Sequence, residues 1–266
     1  MNDFILTGKT ILITGASSGI GRQTAILATK NGATVIITGR DESRLNETFQ
    51  QLSDPHNTFI SPLVPRPASL VPRPSPLAPR PSSHDLTVEA EMDALIASLP
   101  KLDGIVHCAG IVDPIPAKFI TQSDIDRMFA INYHAPVNLT SKIIRKKKLA
   151  NGASLVFMST IATKNPYFGG ALYSGSKAAL EAYSKTLALE MTSKGIRSNC
   201  IMAGLVDTPM IENPSEKNMQ EEALKRYLTR YPLGIGKPED VAGAILFFLS
   251  DASKWITGTS LIMGGE

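Results

Sequence analysis

Short apolar segments alternate with longer segments of helical period along most of this 266-residue chain. This alternation is typical of β-α-β units, which build a parallel sheet. Right-handed crossovers between successive strands then lead to a doubly wound sheet with helices on both faces. We therefore predict an α/β fold with seven parallel strands. The predicted strands are residues 9–14, 33–39, 57–61, 103–110, 153–159, 196–202 and 259–263, and the predicted helices are residues 21–30, 42–52, 89–99, 123–149, 173–193 and 238–250.

Composition excludes several classes of protein. Apolar residues make up 43% and charged residues 19% of the chain, which is ordinary for a globular protein. No stretch approaches the roughly 18 apolar residues that span a bilayer, and the first ten residues do not have the pattern of a secretory signal. The two cysteines are too few for a disulfide framework and suit a reducing compartment. We expect a single domain over residues 1–266, located in the cytoplasm and without a membrane partner.

A proline-rich insertion interrupts this predicted domain at residues 62–83. It holds three copies of a seven-residue unit (LVPRPAS, LVPRPSP and LAPRPSS) and eight of the chain's 18 prolines. Because proline suits neither a helix nor an inner strand, we predict a polyproline II segment on the surface. Its three arginines, Arg66, Arg73 and Arg80, account for the whole formal charge of +3, so the charge does not indicate a nucleic-acid partner. The segment is either a ligand of a proline-recognition domain or an insertion without a partner.

The turn after the first predicted strand is rich in glycine. Residues 14–21 read TGASSGIG and open into a helix. Gly15 permits a sharp turn, Gly19 lets main-chain N–H groups approach a pyrophosphate, and Gly21 allows close packing of helix and strand. In this position the spacing favours a dinucleotide site over an ordinary tight turn, and it predicts a Rossmann-type sheet.

The end of the second predicted strand bears on the choice of cofactor. An NAD enzyme usually has an acidic residue there, whereas this chain has Arg40. Because a guanidinium fits the 2′-phosphate of NADP, we expect NADP(H) in preference to NAD(H). Alternatively, Arg40 is a surface residue that pairs with Asp41 or Glu42. Further along, Asp85 either caps a helix that begins near Thr87 or accepts a hydrogen bond from the adenine amino group.

Tyr173 and Lys177 are one helical turn apart, so their side chains share a face of the predicted helix. Of the six tyrosines, Tyr173 alone has a lysine four residues on. A phenol is a poor acid or base at neutral pH. A neighbouring ammonium, together with a cationic nicotinamide in the oxidised state, would lower its pKa by stabilising the phenolate. The pair is therefore a candidate for proton transfer; the alternative is a packed tyrosine beside a lysine that reaches solvent.

A series of motifs, in this order, resembles the short-chain dehydrogenase/reductase family across nearly the whole chain outside residues 62–83. The motifs are TGASSGIG at 14–21, DLT at 85–87, CAG at 108–110, IN at 131–132, the Ser-Thr pair at 159–160, YSGSK at 173–177, and KPEDVA with TGTSLIMGG near the C-terminus. Within that family, the middle of the chain most resembles bacterial 3-oxoacyl-[acyl-carrier-protein] reductases. The resemblance implies an NAD(P)-dependent oxidoreductase that assembles as a homotetramer or homodimer through its long helices and C-terminal segment.

The resemblance also implies roles for individual residues. Tyr173 would be the proton donor, Lys177 would bind the nicotinamide ribose, and Asn132 would hold a water in the proton relay. Thr208 matches the residue that contacts the nicotinamide carboxamide. The full set of residues expected at the cofactor is Gly15, Ser17, Ser18, Gly19, Ile20, Gly21, Arg40, Asp85, Leu86, Ala109, Gly110, Tyr173, Lys177, Gly204, Val206 and Thr208.

The chain departs from the family pattern at several positions. The third catalytic hydroxyl, usually a serine, falls on Thr160, with Ser159 beside it. Because neighbouring strand residues face opposite sides, only one of them is expected to face the site, and we choose Thr160, with Ser159 in reserve. His107 and Cys108 stand where two asparagines are common. Both border the cofactor crevice, so they bear on cofactor affinity more than on the chemistry.

No spacing of histidine and cysteine resembles a metal-ligand set, so no metal is expected. Cys108 and Cys200 are expected on strands separated by a third strand, roughly 9.6 Å apart and beyond disulfide reach. The basic run at 145–148 either docks an acidic carrier protein or complements the negative end of a helix dipole.

These residues together predict an NADPH-dependent carbonyl reductase. A hydride would pass from the nicotinamide to the carbonyl carbon while Tyr173 protonates the oxygen and Thr160 holds it. The substrate is expected to be a 3-oxoacyl thioester or, alternatively, a sugar, a steroid or a small ketone, selected by segments 164–170 and 210–233. A second hypothesis is a nucleotide-binding scaffold that has lost useful catalysis.

Overall fold

The computed structural model describes residues 4–52, 58–59, 83–210, 229 and 231–265. The strands are β1 (Thr10–Thr14), β2 (Thr34–Thr38), β3 (Thr58–Phe59), β4 (Leu102–His107), β5 (Leu149–Thr160), β6 (Arg197–Ala203) and β7 (Ser260–Met263). The helices are α1 (Gly19–Lys30), α2 (Glu42–Gln50), α3 (Glu89–Ser98), α4 (Gln122–Phe129), α5 (Ala135–Arg145), α6 (Ala171–Glu190) and α7 (Pro238–Leu249). The strands pair in parallel in the order β3-β2-β1-β4-β5-β6-β7. The predicted α/β fold with a doubly wound, seven-stranded sheet is confirmed.

Helices cover both faces of the sheet because successive strand residues point to opposite faces. On one face, Ile11 and Val156 pack with residues of α1 and α7. On the other face, Leu12 and Leu155 pack with residues of α3, α5 and α6. The inner strands are therefore apolar on both sides, which explains why their sequences read as continuous apolar runs.

The order of the strands reverses between β1 and β4. β2 and β3 lie on one side of β1, and β4 to β7 lie on the other. Thr14 at the end of β1 pairs with His107 at the end of β4. The connections leave these two strand ends in opposite directions, and this opens a crevice at the carboxyl edge of the sheet, where open α/β sheets bind ligands.

The single helix predicted over residues 123–149 is wrong. The structure instead has α4, a π-helical turn at Ala130–His134, and α5, which ends at Arg145. A π turn adds about one residue to a helical turn, and its buried residue here is Asn132. The apolar periodicity of the sequence therefore does not reveal it. Lys147 then has a φ of 56°, which ends the helical course, and Leu149 begins β5.

Some expectations fall on residues that the structure does not describe. Residues 62–82 of the proline-rich insertion and most of the segment 210–233 lie outside the described residues. The polyproline conformation and the single-domain organisation therefore stay predictions. Within the described residues, no helix combines the length and apolar character needed to cross a membrane.

Candidate active site

The turn after β1 depends on two glycines whose positions exclude a larger side chain. Gly15 has a φ of 66°, and a Cβ atom on it would lie 2.6 Å from the main-chain nitrogen of Ala109. A Cβ on Gly21, the third residue of α1, would lie 2.3 Å from the carbonyl oxygen of Gly15. Because neither residue carries a Cβ, the first turn of α1 packs directly against the end of β1, with its main-chain N–H groups at the crevice.

Gly19, the first residue of α1, faces Thr208 across the crevice. It has a φ of 51°, and a Cβ on it would lie 3.2 Å from Cγ2 of Thr208. The half-buried residues of the same turn are Ser17, Ser18 and Ile20. The guanidinium of Arg22 donates to the carbonyl oxygen of Ser17 at 2.6 Å and fixes the turn. A helix N-terminus behind a glycine cradle fits the pyrophosphate of a dinucleotide.

The segment after β4 forms the opposite wall of the crevice. The Ala109 N–H donates to Oγ1 of Thr14 at 3.2 Å, which joins the ends of β4 and β1. A Cβ on Gly110 would lie 3.3 Å from Nζ of Lys177. The two residues expected at the cofactor on this segment therefore lie between the glycine turn and the lysine.

His107 and Cys108, which depart from the family pattern, belong to this wall. The His107 ring stacks on Phe157 with centroids 4.7 Å apart, and its Nε2 lies 2.9 Å from Oγ1 of Thr140. Burial lowers the pKa of His107 to about 3, so the ring is neutral at physiological pH. Burial raises the pKa of the Cys108 thiol to about 12. Neither side chain is therefore suited to acid–base or nucleophilic chemistry.

Arg40 lies exposed on the surface just after β2. No ion pair in the described part of the chain involves it. Asp41, one of the partners considered from the sequence, instead caps α2 by accepting the Arg44 N–H at 3.0 Å. The Arg40 guanidinium is therefore available to a ligand at this end of the crevice.

Asp85 closes a local turn rather than capping a helix. Its carboxylate accepts the Thr87 N–H at 2.9 Å and the Thr87 hydroxyl at 2.6 Å. Since α3 begins at Glu89 with Val88 in the cap position, the expected cap by Asp85 is wrong. Burial acts to raise the pKa of Asp85, but the Thr87 hydrogen bonds and the charge of Arg40 outweigh burial, and the pKa is lowered. Leu86, beside it, packs half-buried against the core.

Tyr173, Lys177 and Thr160 meet at the carboxyl end of β5. The hydroxyl of Thr160 lies close enough to the Tyr173 phenol to act on its pKa, and it accepts the Ala162 N–H at 3.2 Å. The Lys177 ammonium donates to the carbonyl oxygen of Met158 at 2.9 Å, and its Nζ lies 6.0 Å from the centroid of the Tyr173 ring. Because Met158 and Thr160 belong to β5, a single strand holds both the lysine and the partner of the phenol.

Burial governs the protonation of this group. Burial raises the pKa of Tyr173 to about 12, although the hydrogen bond with Thr160 acts in the opposite direction. Burial also lowers the pKa of Lys177 to about 8. Loss of solvent therefore dominates the pKa of Tyr173 here, and the lowering expected from the ammonium together with an oxidised nicotinamide stays a prediction. At neutral pH the phenol therefore carries its proton, as a proton donor must.

Ser159 points to the other face of β5. Its hydroxyl donates to Oε1 of Glu181, on α6, at 2.5 Å. The structure therefore brings Thr160, and not Ser159, to Tyr173, as the alternation of strand residues requires. The sequence reasoning did not single out Glu181, whose one signal is an acidic residue four positions after Lys177 on an otherwise buried helix face.

Asn132 lies fully buried in the π turn and ties three elements together. Its Oδ1 accepts the Ile111 N–H, and its Nδ2 donates to the Ile111 carbonyl oxygen, both at 2.9 Å. Nδ2 also lies 3.2 Å from Oγ of Ser176, which donates to the Tyr173 carbonyl oxygen at 2.8 Å. Asn132 thus links the wall of the crevice to the helix that carries Tyr173.

The remaining residues expected at the cofactor follow β6. The Gly204 N–H donates to the Met263 carbonyl oxygen at 2.9 Å, and a Cβ on Gly204 would lie 2.5 Å from the ring of Tyr231. Val206 is buried and forms a bridge with Gly236. Close packing therefore accounts for Gly204, and this segment carries Thr208 to its place opposite Gly19.

The described residues form neither a cluster of metal-ligating side chains nor a disulfide. Among the described residues, no group of three or more histidine, cysteine, aspartate or glutamate side chains could hold a metal ion. Cys108 and Cys200 are unpaired thiols. Burial raises the pKa of Cys200 to about 11, so both thiols are protonated at neutral pH.

The fold and this geometry define a dinucleotide-binding α/β protein with a tyrosine–lysine pair at the crevice. Residues 82–265 match the family described as enoyl-(acyl carrier protein) reductase, and residues 9–64 match short chain dehydrogenase. The 3-oxoacyl-[acyl-carrier-protein] reductase FabG of Rickettsia felis is 33% identical over 98% of this chain and 97% of its own length. The protein of the same description from Thermotoga maritima is 31% identical over 98% of both chains.

A solved structure gives the same result for the fold. The dehydrogenase/reductase from Sinorhizobium meliloti superposes with a TM-score of 0.79 at 27% identity, covering 99% of this chain and 96% of that one. The chain belongs to the short-chain dehydrogenase/reductase family. It is an NAD(P)-dependent oxidoreductase of that family, which confirms both the resemblance and the enzyme class expected from the motifs.

Proposed function

We propose that this protein reduces a carbonyl group to a secondary alcohol with NADPH, and that its substrate is a 3-oxoacyl thioester. The observation that carries the proposal is that Tyr173 and Lys177 meet at the carboxyl end of β5, with Nζ of Lys177 6.0 Å from the centroid of the Tyr173 ring and hydrogen-bonded to the Met158 carbonyl oxygen. The relatives described as 3-oxoacyl-[acyl-carrier-protein] reductases support the class of substrate.

The residues around the crevice fit a dinucleotide cofactor. The cradle of Gly15, Gly19 and the start of α1 would hold the pyrophosphate, and Lys177 would bind the nicotinamide ribose. When bound, the reduced nicotinamide supplies a hydride to the carbonyl carbon. The Thr160 hydroxyl donates a hydrogen bond to the carbonyl oxygen, and Tyr173 gives its proton to that oxygen as negative charge develops there.

Lys177 contributes charge to the same step. Its pKa of about 8 leaves it mostly cationic at neutral pH. When Tyr173 gives up its proton, the phenolate that remains is stabilised by this ammonium in a site of low polarity. Asn132 holds the wall of the crevice against α6, and we assign it the relay that returns a proton to Tyr173.

We propose a preference for NADP(H) over NAD(H) on the basis of Arg40. Its guanidinium is exposed at the end of β2, and its planar fork matches the oxygens of a phosphate. The neighbouring carboxylate, Asp41, is held at the N-terminus of α2 and does not neutralise it. An acidic side chain that would bind the 2′-hydroxyl of NAD is therefore replaced here by a cation.

The rim near Tyr173 supports an apolar acyl substrate. The Ile115 N–H donates to the Gly169 carbonyl oxygen at 2.9 Å, which joins the segment after β4 to the segment before α6. These two segments carry Phe119 and Phe168, which are 62% and 86% exposed. Exposed aromatic side chains at the rim of a site can cover an acyl chain that extends from the reacting carbonyl.

The basic run at 145–148 supports delivery of the acyl group by an acidic carrier protein. Arg145, Lys146 and Lys147 are exposed and form no ion pair within the described residues, whereas Lys148 donates to the Leu99 carbonyl oxygen. We expect Lys146→Glu to raise KM for a carrier-bound substrate but not for its N-acetylcysteamine thioester, which has no carrier. If Lys146→Glu changed KM equally for both substrates, the docking role would be refuted and only the interaction of the basic run with the helix dipole would remain.

We also propose that the protein self-associates, and that the edge of the sheet at β7 takes part. β7 has a neighbour on one side only, and its Leu261 and Ile262 are exposed. Trp255, shortly before this strand, is 98% exposed. Light scattering after gel filtration should give a multiple of 28.6 kDa that decreases in Ile262→Asp; a monomeric wild-type protein would contradict the proposal.

The reaction itself is tested by following NADPH absorbance with a panel of carbonyl compounds. The panel contains a 3-oxoacyl thioester, a sugar, a steroid and a small ketone. We expect the highest kcat/KM with the thioester. Tight binding of NADPH without turnover of any of these compounds would overturn the proposal and favour a nucleotide-binding scaffold.

A further inference from the structure

The carboxyl group of Glu181 is buried near the active site but has no place in the mechanism above. The residue lies on α6 and is 6% exposed. Its Oε1 accepts the Ser159 hydroxyl at 2.5 Å and the Thr163 hydroxyl at 3.0 Å. None of the ion pairs in the described part of the chain includes it. Burying a carboxyl group is costly, and here two hydroxyl donors offset that cost.

These two donors lie on either side of Thr160 in the chain. Ser159 directly precedes it, and Thr163 ends the short 3₁₀ turn that follows it. The Thr163 hydroxyl also lies 3.2 Å from the Thr160 carbonyl oxygen. One oxygen of Glu181 therefore holds both ends of the segment that carries the Thr160 hydroxyl.

This anchoring determines where the Thr160 hydroxyl points. Inside the held segment, its Oγ1 accepts the Ala162 N–H at 3.2 Å. One lone pair is thus occupied on the side of the 3₁₀ turn. This limits the directions in which the hydroxyl can interact with Tyr173, whose pKa it acts to lower. A shift of Ser159 or of Thr163 would carry this hydroxyl away from the phenol.

The anchor belongs to the same helix as the phenol. Tyr173, Lys177 and Glu181 follow one another at intervals of four residues on α6. A single helix therefore carries the proton donor, the cation and the group that places the Thr160 hydroxyl. Because one rigid helix carries all three groups, their positions relative to one another are fixed by that helix.

We propose that Glu181 is a positioning residue, which sets the Thr160 hydroxyl against Tyr173 by anchoring Ser159 and Thr163. The inference rests on the proposed carbonyl reduction and adds a residue to it. Glu181 does not touch the reacting atoms, because Ser159 and Thr163 lie between. Its effect on the rate therefore passes through Thr160.

Two substitutions and a matched control test this role. Glu181→Leu replaces the acceptor by an apolar side chain of similar size, whereas Glu181→Gln keeps an oxygen acceptor in the same place. The control is Ser184→Ala on the same helix as Glu181. It removes a buried hydrogen bond to Ser198 on β6 without touching Thr160. We expect kcat to fall about 10- to 100-fold in Glu181→Leu, the cost of a small misplacement at a reacting centre. Affinity for NADPH, and kcat in the other two variants, should stay close to the wild-type values.

A double-mutant cycle separates positioning from a merely structural role. If Glu181 acts through Thr160, adding Glu181→Leu to Thr160→Val should reduce kcat little further. Additive losses would overturn the proposal, because they would show that Glu181 acts by another route. A loss in Ser184→Ala as large as that in Glu181→Leu would also overturn it.

A titration of Tyr173 gives a readout that needs no substrate. The hydrogen bond from Thr160 lowers the phenol pKa, so a displaced hydroxyl should raise it. Fluorine NMR of protein labelled with 3-fluorotyrosine can follow this group, once its resonance is assigned with Tyr173→Phe. The pKa should rise in Glu181→Leu and in Thr160→Val but not in Ser184→Ala; no rise in Glu181→Leu would overturn the proposal. Failure of the proposed reaction would instead appear as absent turnover in the wild-type enzyme, which leaves this titration intact.

Discussion

The two ends of the crevice hold their side chains in different ways. At the carboxyl end of β5, Lys177 and Thr160 are buried and fixed by hydrogen bonds to the main chain. At the end of β2, Arg40 is exposed and affects Asp85 only through its charge, while Asp85 is held by a local turn.

This difference fits the roles that we propose for the two ends. Proton transfer requires groups at fixed distances and with pKa values set by burial, so it needs a rigid and dry support. A choice between two cofactors that differ by one phosphate requires only a charge near that phosphate. Substitutions at the β5 end should therefore reduce the rate, and substitutions at the β2 end should change the selectivity for cofactor.

At the β5 end, large losses in kcat are expected, and two neighbouring hydroxyls should differ in how much they contribute. Thr160→Val should lower kcat by about 10²- to 10³-fold, because it removes a donor to the developing oxyanion. Ser159→Ala should cost much less, since Thr163 still anchors the segment to Glu181. Steady-state rates with NADPH and a 3-oxoacyl thioester give both numbers. Equal losses would show that the two faces of β5 do not differ in function.

Burial of the Lys177 ammonium should lower the free energy of unfolding of the wild-type protein. The pKa of Lys177 is lowered from 10.5 to about 8, so between these pH values the unfolded chain binds more protons than the folded chain. Stability from this group therefore rises with pH through that window and is lowest below it. Near neutral pH, Lys177→Met should be more stable than the wild type by about 2 kcal/mol while losing activity.

Urea unfolding at neutral pH and near the upper end of this window checks the sign. The advantage of Lys177→Met should shrink at the higher pH, where the wild-type lysine is neutral in the folded protein. An advantage that grows with pH would contradict the assignment of burial as the cause.

At the β2 end, the expected effect is a change in cofactor preference. Arg40→Ala should weaken NADPH binding about tenfold, as expected for loss of a hydrogen bond to a charged group. NADH binding should hardly change. Arg44→Ala, which removes a nearby arginine on α2, is the control. Equal weakening of both cofactors by Arg40→Ala would refute the role at the 2′-phosphate.

The smallest effect is expected from the proline-rich insertion. Deleting residues 63–83 should leave kcat within about twofold, because surface insertions of this kind rarely support the core. Activity and thermal unfolding of the shortened protein measure this. A collapse of folding would mean that the insertion is structural.

Sequence reasoning predicted best those features that depend on neighbours along the chain. The glycine turn, the strands and the pair formed by Tyr173 and Lys177 follow from local spacing, and the structure has the helix and strands that carry them. The break in the predicted helix 123–149 could not be found in this way, because no local spacing of residues 130–134 marks a π turn. The choice of Thr160 over Ser159 rested on the position of the family's catalytic hydroxyl relative to Tyr173, and the alternation of strand residues implied that only one of the two faces the site.

Features that depend on tertiary packing could not be predicted. The raised pKa of Tyr173 comes from burial, which the sequence does not show. The contact between Ser159 and Glu181 joins residues 22 positions apart on different elements. No local pattern reveals such a pair.

The most direct test of the account compares two tyrosines on α6 in a single turnover. Tyr183 is a matched control, because burial also raises its pKa to about 12 and a nearby threonine, Thr140, acts to lower it, whereas Lys177 does not contribute to the shift. With enzyme and NADPH in excess over a 3-oxoacyl thioester, Tyr173→Phe should slow NADPH oxidation by about 10³-fold, within the range for general acid catalysis. It should still bind NADPH, and Tyr183→Phe should react like the wild type. A Tyr173→Phe rate within a few-fold of wild type would contradict the account.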